Sequence, residues 1–172
     1  MVGKKTAICM NGLYGAIEDN CVLAPVHGLL DKSKELNDST LPVFLEELKN
    51  VTVNHTGIIT QSPATISTIV TILNSVANAS SLLSLPLSKQ STNNILEIAG
   101  LLTSENAKAS WDILNQKENR PSLETKNNTN IKSSSSSLLN VFETISTLLA
   151  NESFTIETPF ILLTKTNFTY SF

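Results

Sequence analysis

The sequence predicts a mainly α-helical fold, a bundle of about five to six helices followed by one or two C-terminal β-strands. Two observations support this prediction. Apolar residues recur every three to four positions through most of the 172-residue chain, and the apolar period changes to two near its C-terminal end. We expect three parts, namely an N-terminal piece at 1–23, a helical region at 24–152 and an incomplete β region at 153–172. One or two strands cannot form a stable sheet alone.

The first two predicted helices differ in strength. The segment Val22–Leu36 has helical spacing but contains Pro25 and Gly28, so we expect a weak, interrupted helix. The segment Leu41–Val53 is more regular. A cap from Ser39 or Thr40 is expected there, with Pro42 near the first turn, where its missing N–H costs nothing.

The next two helices carry the clearest apolar stripes. Ser62-Pro63 opens the first of them, and Ser88 or Ser91 starts the second. Their predicted buried residues are Ile66, Ile69, Val70, Leu73, Val76 and Ala77 in the first, and Ile95, Leu96, Ile98, Ala99, Leu101 and Leu102 in the second.

The last two helices flank a polar stretch. Ala107–Lys117 is predicted to be a helix that buries an aromatic side chain, and Leu138–Ala150 a helix with regular apolar spacing. Between them, Glu118–Ser136 is predicted to be a polar loop that contains most of the serine run Ser133–Ser137. The serines favour a flexible linker that also supplies helix caps.

Strand periodicity appears only after residue 153. A short strand is predicted at Phe154–Glu157, and Pro159 separates it from a longer alternating segment that starts at Phe160. In that segment we expect the side that carries Lys165 and Asn167 to be the more polar face.

The composition excludes some classes of partner. Charged residues make up 16% of the chain and the net charge is −3, whereas Ser, Thr and Asn together contribute 58 residues. A mildly acidic chain without a basic run argues against nucleic acid or an anionic membrane as the main partner. No apolar stretch reaches the length of a membrane helix.

Two cysteines, Cys9 and Cys21, flank a turn-rich segment. Either they form one disulfide, which such a loop would make worth about 3 kcal/mol, or they are two free thiols. Their spacing does not match a C-x-x-C metal site, and the disulfide is the favoured interpretation.

Seven Asn-x-Ser/Thr sequons favour a glycosylated extracellular domain. On the helix from Leu41, Asn50 falls nearly opposite the apolar stripe. Asn151 lies just past the last predicted helix, where a glycan would clear the core. Because no signal peptide is recognisable at the N-terminus, we expect the chain to be a fragment or an altered form. The predicted acceptors are Asn37, Asn50, Asn54, Asn78, Asn127, Asn151 and Asn167.

No motif indicates catalysis. The only histidines, His27 and His55, are not in a metal-binding frame, and adjacent glutamates at 46 and 47 point to different helix faces. We therefore expect no enzymatic activity, no metal and no cofactor. The large aromatic side chains on the helical stripes are predicted to be core anchors, namely Phe44, Trp111 and Phe142.

Four segments resemble the juxtamembrane ectodomain of adhesion G-protein-coupled receptors, subfamily F. They are LPVFLEEL at 41–48, IVTILNSV at 69–76, ASWDIL at 109–114 and FETISTLLAN at 142–151. The resemblance covers about residues 41–172. It implies a GAIN domain, in which a helical subdomain precedes a β-rich subdomain that ends in an autoproteolysis site. The piece at 1–23 resembles the tail of a small cysteine-containing module.

The chain departs from this family at the cleavage site. The family needs a His-Leu/Ile-Ser/Thr tripeptide, whereas His27 and His55 are followed by Gly28-Leu29 and Thr56-Gly57. We therefore expect neither autoproteolysis nor signalling from this chain itself. The resemblance implies a glycosylated scaffold on the extracellular side of the plasma membrane. Its implied partners are the β-rich subdomain, the seven-helix membrane domain and an extracellular protein ligand.

Two alternatives stay open. A free-standing secreted helical bundle could act as a ligand or binding protein, although its unpaired C-terminal strand would then be unusual. A cytosolic helical scaffold is a third interpretation, which unmodified sequons and reduced cysteines would favour.

Overall fold

A computed structural model of the chain describes residues 1–7, 9–10, 13–14, 18–82, 87–118, 133–149 and 153–166. The predicted fold class is confirmed, because this part of the chain is mainly helical and ends in a two-stranded antiparallel sheet. Seven α-helices occur in these described ranges, namely α1 (Ala24–Lys32), α2 (Leu41–Asn54), α3 (Thr56–Ile59), α4 (Pro63–Leu82), α5 (Lys89–Leu102), α6 (Lys108–Glu118) and α7 (Ser134–Leu148).

Short strands precede the helices. Strand β1 (Lys5–Thr6) pairs antiparallel with β4 (Glu18–Asp19), and β2 (Cys9–Met10) pairs with β3 (Leu13–Tyr14). Two backbone hydrogen bonds between Val2 and Val22, of 2.6 and 2.7 Å, continue the β1–β4 pairing toward α1.

The β1–β4 hairpin is fastened to the start of α4. The Leu23 N–H donates to Thr65 Oγ1 over 3.1 Å, and the Ser62 hydroxyl donates to the Cys21 carbonyl over 3.3 Å. Leu23 itself is buried in the helical core. The N-terminal piece therefore packs on the bundle at its last residues.

Helix α1 corrects the prediction of an interrupted helix. Pro25 lies in its first turn, where the missing N–H has no helical partner to lose, so the helix starts there instead of breaking. Gly28 lies within α1 with no atom near its missing Cβ, and the helix runs through it to Lys32. Val26 and Leu29 are its buried residues.

Helix α4 lies at the centre of the bundle. It contacts α1, α3, α6 and α7, while α2 packs along α5 and α1 touches both α2 and α4. The predicted stripe is confirmed, because all six of its predicted residues are buried. They are Ile66, Ile69, Val70, Leu73, Val76 and Ala77.

Side-chain caps start two of the described helices. The Ser88 hydroxyl accepts from the Ser91 N–H over 3.0 Å at α5, which confirms one of the two predicted caps. At α7 the Ser133 hydroxyl accepts from the Ser136 N–H in the same way. Such caps satisfy N–H groups that have no carbonyl partner within the helix.

The serine run corrects a second prediction. Only Ser133 precedes α7, and the next four serines form its first turn, so the predicted polar loop ends about a turn earlier than expected. The cap is the physical reason, because a Ser with extended backbone can accept from the N–H three residues on and start the helix there. Most of the predicted loop, at 119–132, lies outside the described residues.

The three predicted core anchors differ in burial. Phe44 is buried, whereas Trp111 and Phe142 pack against the core but keep part of their surface exposed. The Trp111 indole N–H donates to the Leu102 carbonyl over 2.7 Å, which ties α6 to the end of α5. A short 3₁₀ turn at Glu105–Ala107 joins these two helices.

The C-terminal hairpin joins β5 (Phe154–Glu157) to β6 (Leu162–Lys165). The bounds of β5 are those predicted. The register pairs Phe154 with Lys165 and Ile156 with Leu163, and this face packs inward. The alternate pairs, Thr155 with Thr164 and Glu157 with Leu162, face outward.

The inward face reverses the predicted polarity of β6. Leu162, on the side expected to be apolar, is 67% exposed, while Leu163 packs against the core. Lys165 also lies on the inward side, where its ammonium donates to the Leu149 carbonyl over 3.0 Å. A hydrogen-bonded ammonium is therefore accommodated on the face that packs against the helices. Asn167 lies outside the described residues.

The hairpin approaches α5 closely at one glycine. A Cβ added at Gly100 would lie 2.6 Å from Phe160 Cβ, a distance at which one of the two backbones must move. Gly100 is buried within α5, where glycine is otherwise unfavourable. Close packing of the hairpin turn is the physical reason for this glycine.

We expect Gly100→Ala to destabilise the fold by about 1–3 kcal/mol, because overpacking outweighs the gain in helix propensity. Urea unfolding followed by circular dichroism measures this change. The matched control is Gly28→Ala in α1, where nothing lies within 4 Å of the added methyl. In the control, the free energy of unfolding should rise by about 0.5–1 kcal/mol. Stabilisation by both substitutions would contradict the packing of Phe160 on α5.

Candidate functional site

Four of the seven predicted glycan acceptors lie in the described part of the chain, and all four are exposed. Of the seven described asparagines outside the motif, Asn94 is buried, three are half-buried and three are exposed. The exposed acceptors are Asn37, Asn50, Asn54 and Asn78. The other three predicted acceptors, Asn127, Asn151 and Asn167, lie outside the described residues.

Asn37 shapes the turn between α1 and α2. Its side-chain oxygen accepts three hydrogen bonds, from the Ser39 N–H (3.1 Å), the Ser39 hydroxyl (2.7 Å) and the Thr40 N–H (3.1 Å). This is an Asx turn, in which the asparagine side chain mimics a backbone carbonyl. Thr40 occupies the N-cap position of α2 without a side-chain cap bond, so Asn37 orders this entry instead.

Asn50 and Asn54 lie one turn apart on the outer side of α2. Together with five other residues they line a shallow depression of about 390 Å³, which includes the 69% exposed Val43. The remaining lining residues are Glu46, Glu47, Val51 and His55. Glycans on these two asparagines would stand over this depression.

A groove of about 460 Å³ lies between the start of α6 and α7. Trp111, Leu138 and Phe142 provide its apolar lining, and Leu139 beside them is 69% exposed. Polar side chains complete the lining, namely Thr103, Ser104, Glu105, Lys108, Asn115 and Ser135. The groove has the size of a small-ligand site, and its lining is mainly apolar.

The groove is not among the features that the sequence predicts. Trp111 and Phe142 are predicted core anchors, whereas each also presents a face to the groove. One signal was available, because Leu138 and Leu139 are adjacent and therefore widen the apolar stripe of α7 beyond one helix face.

The two histidines form no catalytic arrangement. His27 is exposed on α1, and His55 lies half-buried at the end of α2 with Nδ1 3.0 Å from the Val51 carbonyl. That bond requires the proton on Nδ1. Glu47 pairs with Lys32 over 2.8 Å. Among the described residues, no three His, Cys, Asp or Glu side chains are grouped so that they could hold a metal ion.

The β1–β4 hairpin carries a small charged cluster. Lys5 and Asp19 form an ion pair of 2.7 Å, and the Cys21 N–H donates to the Asp19 carboxylate over 3.0 Å. These two hydrogen bonds lower the pKa of Asp19 to about 2. The same carboxylate raises the pKa of the Cys21 thiol through a hydrogen bond.

Cys21 carries a free thiol in the structure, and the expected disulfide with Cys9 stays a prediction. The strand register describes where the two cysteines lie. Cys9 faces Tyr14, whereas Cys21 lies beyond the Lys5–Asp19 pair, toward Val22. The two cysteines are therefore at different places along the hairpin, and a bond between them would require a different register.

We expect Asp19→Asn to speed alkylation of Cys21 by iodoacetamide severalfold at pH 8, because loss of the carboxylate lowers the thiol pKa and the thiolate is the nucleophile. Mass spectrometry of the Cys21 peptide gives the rate. Asp31→Asn is the control, since that carboxylate pairs with Lys34. An unchanged rate in Asp19→Asn would contradict the contact.

The same ion pair sets a pH dependence. Because the pKa of Asp19 is lowered, its contribution to hairpin stability is present above the ordinary value of 3.8 and is lost as the pH falls through about 2. The raised pKa of Lys5 keeps the pair charged on the alkaline side up to at least its ordinary value of 10.5. The protection factors of the Val2 and Val22 amides, which compare the observed exchange rate with the intrinsic rate at the same pH, should therefore fall only outside this window.

In the described ranges, no helix is long and apolar enough to span a lipid bilayer. No protein-family model matches the chain, and no curated protein matches its sequence significantly. The observations that bear on function are thus the exposed sequons, the groove and the packing of the C-terminal hairpin.

Proposed function

We propose that this chain is the helical part of an adhesion-receptor ectodomain, subfamily F of the adhesion G-protein-coupled receptors. In this role it is a glycosylated scaffold on the extracellular side of the plasma membrane. The observation that carries the proposal is the exposure of every described sequon asparagine, at 37, 50, 54 and 78. A glycan at each of these positions projects into solvent without disturbing the core.

The packing of the hairpin on the helices supports a role in which the chain transmits a mechanical force or the effect of a bound ligand. The hairpin turn packs on α5 at Gly100, and Lys165 holds the Leu149 carbonyl at the end of α7. Leu87, two residues before α5, also forms a backbone bridge with Leu149, which follows α7. A load applied to the β region would therefore reach two helices through these contacts.

The hairpin also suits a continuing sheet. Within the described residues, β5 and β6 pair only with each other, so each has an outer edge available for a further strand. Its outward face carries Leu162, which is 67% exposed. A β-rich subdomain would satisfy both the edges and this face, and it is the first partner that we propose. The seven-helix membrane domain and an extracellular protein ligand are the others.

A second candidate function is a secreted helical-bundle binding protein. The groove beside Trp111 favours it, because an apolar lining with polar groups around it is typical of ligand sites. The two functions give the C-terminal hairpin different roles. An adhesion-receptor domain would use its open strand edges to continue the sheet, whereas a free bundle gains nothing from them.

Glycan occupancy tests the proposed function. When the chain is directed into the secretory pathway of mammalian cells by an added signal peptide, we expect N-glycans on Asn37, Asn50 and Asn78. Mass spectrometry of the peptides before and after enzymatic deglycosylation gives the occupancy of each site. Asn94, a buried asparagine outside the motif, is the internal control. Unmodified sequons in the secreted protein would contradict the proposal and favour the cytosolic scaffold.

A further inference from the structure

The four described sequons present their two chemical groups in different ways. At Asn37 the acceptor amide and the motif hydroxyl are together on the surface. Asn37 and Ser39 are both exposed, and the Ser39 hydroxyl donates directly to Asn37 Oδ1 over 2.7 Å. The folded protein thus offers the whole motif, amide and hydroxyl side by side, in one exposed turn.

Helical sequons separate the same two groups. An α-helix turns about 100° per residue, so positions two apart point about 200° from each other. On α2, Asn50 is exposed, whereas Thr52 is 1% exposed and donates its hydroxyl to the Leu48 carbonyl over 2.8 Å. On α4, Asn78 is exposed, whereas Ser80 is fully buried.

Asn54 is a third, intermediate case. It is the last residue of α2, and its motif hydroxyl on Thr56 donates to the Thr52 and Val53 carbonyls over 2.9 and 2.8 Å. The hydroxyl is therefore already engaged by the backbone in the folded state.

Ser80 adds an independent observation. Its hydroxyl is buried without a hydrogen-bond partner, and no other side-chain polar atom of the described residues is in that state. Buried polar groups without partners are rare in native proteins, and an alanine would fill the site without this defect. Packing gives no reason for a hydroxyl here, whereas the acceptor motif requires one.

We propose that Asn37 is the acceptor that the folded chain presents, and that Asn50 and Asn78 accept a glycan only before α2 and α4 form. This inference rests on the proposed secretory function. In the transfer, the asparagine Nδ2 forms a bond to the anomeric carbon of a lipid-pyrophosphate-linked oligosaccharide. The bond from that carbon to the pyrophosphate oxygen breaks, the lipid pyrophosphate leaves, and the amide proton passes to solvent.

The test compares the folded chain with unfolded references. The unmodified chain, purified from bacteria, is incubated with an oligosaccharyltransferase and its lipid-linked oligosaccharide donor, and each site is quantified by mass spectrometry. Synthetic peptides covering residues 34–43, 46–55 and 74–84 serve as unfolded references. We expect Asn37 to be modified equally in the chain and its peptide. Asn50 and Asn78 should be more than about tenfold slower in the chain, because only a minor unfolded fraction exposes them.

Two results would overturn the proposal. One is modification of Asn78 in the folded chain at the rate of its peptide, and the other is an unmodified Asn37 in a chain whose peptide reacts. A Leu73→Asp variant, which places a charge at a fully buried position of α4, is the matched control. It should restore modification at Asn78. This in vitro ordering can fail while glycans are found on the secreted protein, so the two proposals fail separately.

The Ser80→Ala variant separates two roles of the hydroxyl, its role in the acceptor motif and its contribution to the stability of the fold. We expect this variant to abolish modification of the unfolded chain at Asn78 and to raise the urea midpoint of the folded chain. Asn78→Gln should abolish the modification while leaving the midpoint unchanged, because its side chain is exposed. A lower midpoint in Ser80→Ala would show that the hydroxyl serves the fold, which contradicts this explanation of its burial.

Discussion

The apolar contact surface of α4 is the constraint on which the rest of the structure depends. This helix contacts α1, α3, α6 and α7, and it is the main packing partner of α1, α6 and α7, which lose that partner if it is displaced. Ile66, Ile69 and Leu73 are fully buried along it. Each such side chain contributes about 1.5–3 kcal/mol when removed from water. The hairpin depends on the same surface indirectly, since α7 packs on α4 and ends beside Lys165.

Hydrogen bonds from hydroxyl side chains explain how the helices can be stable with few charged residues. Many threonines and serines donate to the carbonyl four residues earlier, as Thr68 does to Ala64 and Thr103 to Ala99, over 2.8 and 2.9 Å. These bonds satisfy the hydroxyl within its own helix and leave the surface neutral. The unusual content of serine, threonine and asparagine is thus compatible with a stable bundle. In the proposed function, glycans supply the solubility that surface charge gives other proteins.

Helix positions and caps were predictable where one local interaction decides them. The apolar stripe of α4, the Ser88 cap and the bounds of β5 all follow from local patterns. Pro25 misled the prediction, because its effect depends on whether it lies in the first turn. The inward face of β6, the groove beside Trp111 and the approach of Phe160 to Gly100 depend on contacts between distant segments. Periodicity within one segment carries no information about such contacts.

A transmitting scaffold requires that the bundle and the C-terminal hairpin behave as one body. An isolated two-stranded hairpin is marginally stable, so protection of β5 and β6 reports directly on their packing against the helices. Native-state hydrogen exchange with increasing urea is the most direct measurement. We expect the amides of Ile156 and Leu163 to exchange through the same global unfolding as the amide of Leu73 in α4. Rapid exchange of the hairpin while α4 stays protected would contradict this expectation.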